Sequence, residues 1–352
     1  MKTIRDIDIK GKTILVRVDY NVPMQDGTVT SDLRIRASLP TLEYLRDRGA
    51  AKIILISHLG RPDGADPSFS LEPVAEALDD LIGHVSFIPA VSGTEVTKQI
   101  SSGKDGDIFL LENLRFYPGE KHNDPVFIQH IIDSVQPDFY VQDAFAVLHR
   151  AHASTDAVKD FLPIYAGLLV EHEVTNLQKV ITNPARPLLL ILGGSKVEDK
   201  QSLIDQFTDK LHADHILIGG KIAADGYQPT HDNITVARDF DEDGTGAKLD
   251  IGPLSTADFA NHIIDAQTII WNGVLGRTED PAYATASTII AELLGESEDK
   301  TTIICGGDTT GFVENLISEH NNLHYTLIST GGGASLEYLC GKPLPGLANI
   351  TK

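Results

Sequence analysis

The chain is predicted to be an α/β protein of two Rossmann-like domains, each built on a parallel sheet. Ten short β-rich apolar runs recur along its 352 residues, and they are continuous rather than alternating, as strands covered on both faces require. Between most of them lie stretches with helical spacing, and strand–helix–strand repetition with right-handed crossovers gives parallel sheets. The length adds a third indication, because at about 150 residues per domain such a chain makes two.

In order, the first runs are Thr13–Val18 (TILVRV), Lys52–Ile56 (KIILI), Val85–Ile88, Ile108–Leu111 and Phe139–Val141. The second set is Leu188–Leu192 (LLLIL), His215–Ile218, Thr268–Trp271, Thr302–Cys305 and Tyr325–Ile328. Leu39, Leu42 and Leu45 mark one apolar helix face, and Val170, Val174, Leu177 and Ile181 mark another. The second of these helices, 170–182, ends at Asn183-Pro184 and Arg186-Pro187, a breaker pair ahead of the Leu188 strand. A domain boundary follows, with residues 1–169 before the joining helix and 183–335 after it. The polar, Gly/Asp-rich stretch Gly226–Asp250 reads as mostly loop, with one weak strand at Ile234–Val236. No repeat of 20–50 residues is visible.

With 29 basic against 50 acidic side chains, the net charge of −21 argues against binding nucleic acid or an anionic membrane. Hydrophobic residues make up 41% and charged ones 22%, enough apolar surface for a sizeable core. Cys305 and Cys340 are too few for a disulfide framework, lack CxxC spacing, and read as core thiols in a reducing compartment. The first residues lack the apolar stretch of a signal peptide, and no segment approaches the roughly 20 apolar residues of a membrane span. A cytoplasmic protein is expected.

In open α/β sheets ligands bind beyond the carboxyl ends of the strands, so the residues there carry the chemistry. In the first half they are Asp19-Tyr20-Asn21, Ser57-His58, Glu112-Asn113 and Asp143, with Arg34, Arg61, Arg115 and Arg150 close behind. Arginine's planar fork of donors matches carboxylate or phosphate, so this set, with His58 and His149, points to a small polyanion. The alternative is four surface arginines paired with the plentiful acids. In the second half the strand ends are Gly193-Gly194-Ser195-Lys196, Gly219-Gly220-Lys221, Asn272-Gly273, Gly306-Gly307-Asp308 and Thr330-Gly331-Gly332-Gly333. Glycines at such turns let backbone N–H groups approach a phosphate beside a helix N-terminus, which suggests a nucleotide. Lys196 and Lys200 stand one helical turn apart. Asp308 is placed to hold magnesium, or else to cap a helix.

GxxxxGK[ST], GxGxxG, GxSxG and HExxH are all absent, and His149 and His152 lack further ligands of zinc spacing. A reaction catalysed mainly by positioning and charge neutralisation needs none of them. Phosphoryl transfer is such a reaction.

Several long motifs, in this order, resemble those of the phosphoglycerate kinase family. They are Val18–Pro23, Ser57–Pro62, Leu111–Phe116, Asp143–Phe145 with His149–Ser154, Gly193–Lys200, Trp271–Gly273, Gly306–Thr309 and Ser329–Glu337. The resemblance implies two domains joined by a hinge helix, with the tail 336–352 packing back on the first domain. It implies that the first domain binds 3-phosphoglycerate or 1,3-bisphosphoglycerate through Asp19, Asn21, Arg34, His58, Arg61, Arg115 and Arg150. The second would bind ATP or ADP with Mg2+ through Gly194, Lys196, Lys200, Gly219, Asn272, Glu279, Gly307, Asp308 and Thr309. Glu279 is expected at the ribose and Asp308 at the metal. Arg34, Lys196 and Gly332 are expected beside the transferring phosphoryl once the hinge closes. A monomer is expected.

The chain also departs from that family. The family's longer segment between Gly219-Gly220 and Trp271 is shortened here, so part of the adenine-side wall is expected to be missing. Val274 stands for a proline, Arg277-Thr278 for Val-Phe, and Cys305 where glycine is common. These changes cluster on the nucleoside rather than the phosphates. Two other readings stay open: a non-catalytic binder of phosphorylated ligands on the same scaffold, and a kinase with altered nucleotide preference.

Overall fold

The computed structural model describes residues 1–195, 197–320 and 322–350, with the backbone alone described at 197–199. The chain divides into two compact units, Met1–His172 with Pro343–Lys352, and Glu173–Lys342.

The first unit carries a six-stranded sheet in the order Val85–Ile88, Asp107–Leu111, Lys52–Ile56, Thr13–Val18, Phe139–Asp143, Ile164–Ala166. Every neighbouring pair is parallel. Ile53 through Ile56 are all buried, as are Ile108 through Leu111, which is why these runs are apolar on both faces. Strand order reverses between Thr13–Val18 and Phe139–Asp143, so Asp19 and Ala144 emerge side by side at the switch point. The helix Leu33–Asp47 buries Ile35, Ser38, Thr41, Leu42 and Leu45, one stripe at three- and four-residue steps, whereas the expected Leu39 lies at its margin. Two elements escaped the sequence reading because they are so short. They are the edge strand Ile164–Ala166 and a hairpin, Met24–Gln25 with Thr28–Val29, turned by Asp26 and Gly27 at φ of +50° and +76°.

In the second unit the sheet order is Ile234–Val236, His215–Ile218, Leu188–Leu192, Thr268–Asn272, Thr301–Cys305, Leu327–Ile328, again all parallel. This is the doubly wound order, with its switch point between Leu188–Leu192 and Thr268–Asn272. The stretch expected to be mostly loop is more ordered than that. Beyond the strand Ile234–Val236 it forms an antiparallel hairpin of Phe240–Glu242 and Lys248–Ile251. The Asp243 carboxylate holds the turn by accepting Thr245 N at 2.8 Å and Ala247 N at 3.1 Å, and Lys248 Nζ stacks 4.5 Å from the Phe240 ring. The run at Tyr325–Ile328 contributes only Leu327–Ile328 to the sheet.

The return of the chain to the first unit begins at Pro343, later than the expected Leu336. The helix Gly333–Leu339 groups with the second unit, where Ser335 Oγ meets Ser329 Oγ at 2.5 Å and the Tyr338 hydroxyl donates to Gln178 Oε1 at 2.5 Å. From Pro343 onward, Gly346 N donates to Leu148 O at 3.0 Å and Asn349 Nδ2 to Asp156 Oδ1 at 3.2 Å. The division between units falls inside the helix Leu168–Thr182, between His172 and Glu173. Among the described residues no helix is long and apolar enough to cross a membrane.

Candidate active site

In the first unit, loops after three strands are tied together by buried polar side chains. Asn113 accepts from Leu59 N at 3.2 Å and Arg115 N at 3.0 Å, and donates to Leu59 O at 2.8 Å. Asn21 Oδ1 accepts from Gly60 N at 2.8 Å. Gly60 has φ +62°, and a Cβ there would lie 2.2 Å from the Phe69 ring, so glycine is required. Arg115 reaches back to donate to Gly60 O. Arg34, in the first turn of Leu33–Asp47, pairs with Asp19.

The remaining arginines are different. Among the described residues Arg17, Arg61, Arg115 and Arg150 have no carboxylate partner within 4.0 Å, which sets aside the reading of paired surface arginines for Arg61, Arg115 and Arg150. Their field is felt by the imidazoles among them. Burial, then Arg17, Arg115, Arg150 and Arg34, pushes His58 well below the usual histidine range. Burial, then Arg115, Arg150 and Arg17, lowers His152 to about 4. Even Arg115 falls to about 10, through burial and then Arg150 and Arg17. Such crowding of like charge favours an anionic ligand of high charge density.

Arg17 and the buried Glu120 were not singled out from sequence. Arg17 is 1% exposed on the strand Thr13–Val18, and its Nε donates to Ser154 Oγ at 3.0 Å. Ser154 Oγ in turn donates to Glu120 Oε1 at 2.6 Å. The available signal was a charged residue inside an otherwise apolar run.

In the second unit a cavity of about 310 Å³ opens at the switch point. It brings together Gly194, Lys200, Asn272, Gly307, Asp308, Thr309 and Gly332 of the expected residues. Gly219 lies outside it, packed so that a Cβ would meet Leu275 Cδ2 at 2.7 Å. Glu279 is exposed and does not line the cavity. Lys196 lies outside the described residues.

The cavity walls are held by backbone contact that only glycine permits. Gly193 N donates to Asn272 O at 3.0 Å and Gly194 N to Val274 O at 2.8 Å, while a Cβ on Gly273 would lie 2.3 Å from Gly193 O. Thr309 Oγ1 accepts Gly273 N–H at 2.7 Å. Asn272 is fully buried, yet neither Oδ1 nor Nδ2 has a hydrogen-bond partner among the described residues. An unsatisfied buried amide costs about 1–3 kcal/mol, so its persistence in a cavity wall marks a place for a polar ligand. The turn Ser329–Gly332 is fixed by the buried Glu173, which accepts from Ser329 Oγ at 2.7 Å and Thr330 N at 2.7 Å. This turn opens the helix Gly333–Leu339, and Gly332 and Gly333 line the cavity where the helix begins. Burial pushes the Cys305 thiol up, in keeping with an inert core thiol.

The family model described as phosphoglycerate kinase matches residues 4–238 and 225–342. The chain belongs to the phosphoglycerate kinase family. It is 41% identical over 393 residues to the phosphoglycerate kinase of Dictyoglomus turgidum, covering 98% of this chain and 97% of the relative. It is 39% identical over 398 residues to that of Fervidobacterium nodosum, with 99% and 98% covered. Among solved structures, the phosphoglycerate kinase of Pyrococcus horikoshii OT3 superposes with TM-score 0.89 at 26% identity, covering 100% of this chain and 98% of that one. The Coxiella burnetii structure does so with TM-score 0.80 at 29% identity, covering 99% and 98%. The fold is therefore that of phosphoglycerate kinases, and the chain is a phosphotransferase. The two matched segments overlap at residues 225–238, and 393 aligned positions exceed this chain's 352 residues. The overlap falls just beyond the short helix Gly220–Ala224, where the sequence reads as shortened.

Proposed function

We propose that the chain reversibly transfers the acyl phosphate of 1,3-bisphosphoglycerate to MgADP, giving 3-phosphoglycerate and MgATP, the glycolytic step, in the cytoplasm. The observation that carries this is the pairing of two unlike anion sites in one member of the family. One is a set of guanidinium groups without carboxylate partners; the other is a glycine-walled cavity holding an unsatisfied asparagine.

On this reading Arg61, Arg115 and Arg150 neutralise the phosphate and carboxylate of the acid sugar, while Asp19, Asn21 and His58 orient it. Arg34 is aimed by its ion pair with Asp19. The phosphates of the nucleotide lie against Gly194, Lys200, Asn272, Gly307 and Thr309, and Asn272 gains the partners it lacks. Lys196, Gly219 and Glu279 complete that set by motif alone. Asp308 would hold Mg2+. Asp308 is the one carboxylate among the residues that line the cavity, and no group of three His, Cys, Asp or Glu that could bind a metal occurs among the described residues. Magnesium accepts few protein ligands when phosphate oxygens supply the rest, and when bound it neutralises phosphate charge.

Toward ATP formation the attacking group is a phosphate oxygen of ADP, and in reverse it is a carboxylate. Both are ionised at neutral pH, so no general base is needed. Arg34, Lys196 and the Gly332 and Gly333 amides then act on charge that builds at the moving phosphoryl, without transferring protons, while the Gly331 amide is held by Ser329 Oγ at 3.1 Å. The test is a coupled assay with purified protein. Turnover at ordinary kinase rates with ADP is expected, with Lys196→Ala lowering kcat more than it changes either KM. Binding of both ligands without turnover would instead make the chain a phospho-ligand binder. Preference for GDP would change the nucleotide assignment.

A further inference from the structure

His58 has a buried neighbour to which neither its motif nor the family resemblance assigns a role. Arg17 Nη2 lies 3.0 Å from His58 Nδ1, and both side chains are almost fully buried. The guanidinium is fixed on all sides. Its Nε donates to Ser154 Oγ at 3.0 Å, and Nη1 donates to Val18 O and, at 3.4 Å, to Ser57 Oγ. Ser57 is itself held, donating to Val18 O at 2.9 Å and accepting Tyr20 N–H at 2.9 Å.

Arginine offers donors only and keeps its proton at neutral pH and below. A hydrogen bond between its N–H and an imidazole nitrogen therefore has one proton arrangement: Arg17 donates and Nδ1 accepts through its lone pair. The proton of a neutral ring must then reside on Nε2. Protonating Nδ1 as well would set two donors against each other at 3.0 Å. The charged groups acting on this ring are Arg17 from the first strand, Arg34 from the following helix, Arg115 from the loop after Asp107–Leu111, and Arg150 from the loop after Phe139–Asp143. None is acidic.

We propose that Arg17 is a positioning residue that fixes His58 as the neutral Nε2–H tautomer, making it a constant N–H donor toward an oxyanion of the substrate. The assignment rests on reading the arginine cluster as the acid-sugar site, but the tautomer itself does not. An imidazole with a free Nδ1–H tautomer would present a lone pair to the substrate anion and repel it. Buried imidazolium would add charge to a cluster already crowded with it. Pinning Nδ1 avoids both and gives the site one donor whose state does not change with pH.

The deciding measurement is a long-range 1H–15N correlation spectrum of the uniformly labelled full chain, free and with saturating 3-phosphoglycerate. Its 13 histidines are separated by comparison with His58→Gln, whose spectrum lacks the resonance in question. His58 should show an unprotonated Nδ1 and a protonated Nε2, unchanged from pH 5.5 to 8. An Nδ1–H pattern, an averaged pattern or a titration in that range overturns the proposal whether or not the protein turns over. As a second arm, Arg17→Leu removes the donor facing Nδ1, so the folded variant should show an Nδ1–H or averaged pattern for His58, with KM for 3-phosphoglycerate raised several-fold and kcat changed less. An unchanged Nε2–H pattern in folded variant protein would contradict the assigned role, and if the variant does not fold, the spectrum of the parent protein decides alone.

Discussion

Asp143 ends the strand Phe139–Asp143 in the core of the first unit, and among the described residues no cation pairs with it. Oδ1 accepts from Leu169 N at 3.0 Å and Val170 N at 3.4 Å, two first-turn donors of the helix Leu168–Thr182. Gly167 approaches so closely that a Cβ would lie 2.1 Å from Oδ1, and Oδ2 is enclosed without a hydrogen-bond partner among the described residues. Burial, opposed by the Thr41 hydroxyl and the two N–H groups, pushes this carboxyl up to about 7 from 3.8. Because the folded value is the higher one, the associated stability is full below the unfolded value and is lost as pH rises through about 7. The whole shift corresponds to about 4 kcal/mol, of which roughly 2–3 kcal/mol is lost between pH 5 and pH 8. Asp143→Asn keeps an oxygen for the two N–H groups and removes the charge. Its stability relative to the parent should therefore rise by roughly 2–3 kcal/mol from pH 5 to pH 8. Urea unfolding followed by circular dichroism at several pH values measures this. A difference that stays constant with pH would show that Asp143 is ionised throughout, and the burial argument would fail.

Three further outcomes are expected. Arg115→Gln should raise KM for 3-phosphoglycerate more than it lowers kcat, and should move His152 upward from about 4, since Arg115 is the leading charge holding it down; histidine NMR titration reads the second effect. Asn272→Leu should leave the free protein as stable or up to about 2 kcal/mol more so, by removing an unsatisfied buried amide, while abolishing the thermal shift given by ADP. Glu173→Ala strips Ser329 Oγ and Thr330 N of their acceptor, so a loss of about 1–3 kcal/mol should accompany a fall in kcat larger than any change in KM. Denaturation and steady-state kinetics on the same preparation separate those two effects.

The sheets were legible because their central strands are covered on both faces, which leaves runs such as Leu188–Leu192 with no polar residue to confuse the reading. The hairpin at 240–251 was not, since a three-residue strand such as Phe240–Glu242 is too short to show alternation, and its order comes from the Asp243 turn. The phosphate side of the second site could be read from its glycines, because close backbone approach leaves a residue-type signature. Exposed Glu279, by contrast, has only a motif behind it. Arg17 shows the opposite failure. Its role depends on Ser57, Ser154 and His58 arriving from distant parts of the chain, and local pattern carries no record of that.

A chain with net charge −21 has ample acid to neutralise its arginines, so their isolation in the first unit needs a physical reason. Glu120 shows how it is arranged. This buried carboxylate spends its hydrogen bonds on Ser154 N at 3.0 Å and Ser154 Oγ at 2.6 Å, touching Arg17 only through that hydroxyl. It therefore balances the innermost guanidinium without closing over Arg115, which burial first, and then repulsion from Arg150 and Arg17, lower against the pull of Glu120. Uncompensated like charge lowers the stability of the free protein, and a bound polyanion removes the repulsion that causes the loss. Affinity for the acid sugar and strain in the empty site are thus two sides of one electrostatic arrangement. A mutation that relieves the first unit by adding a carboxylate near Arg115 should weaken binding, both by stabilising the free protein and by repelling the bound anion.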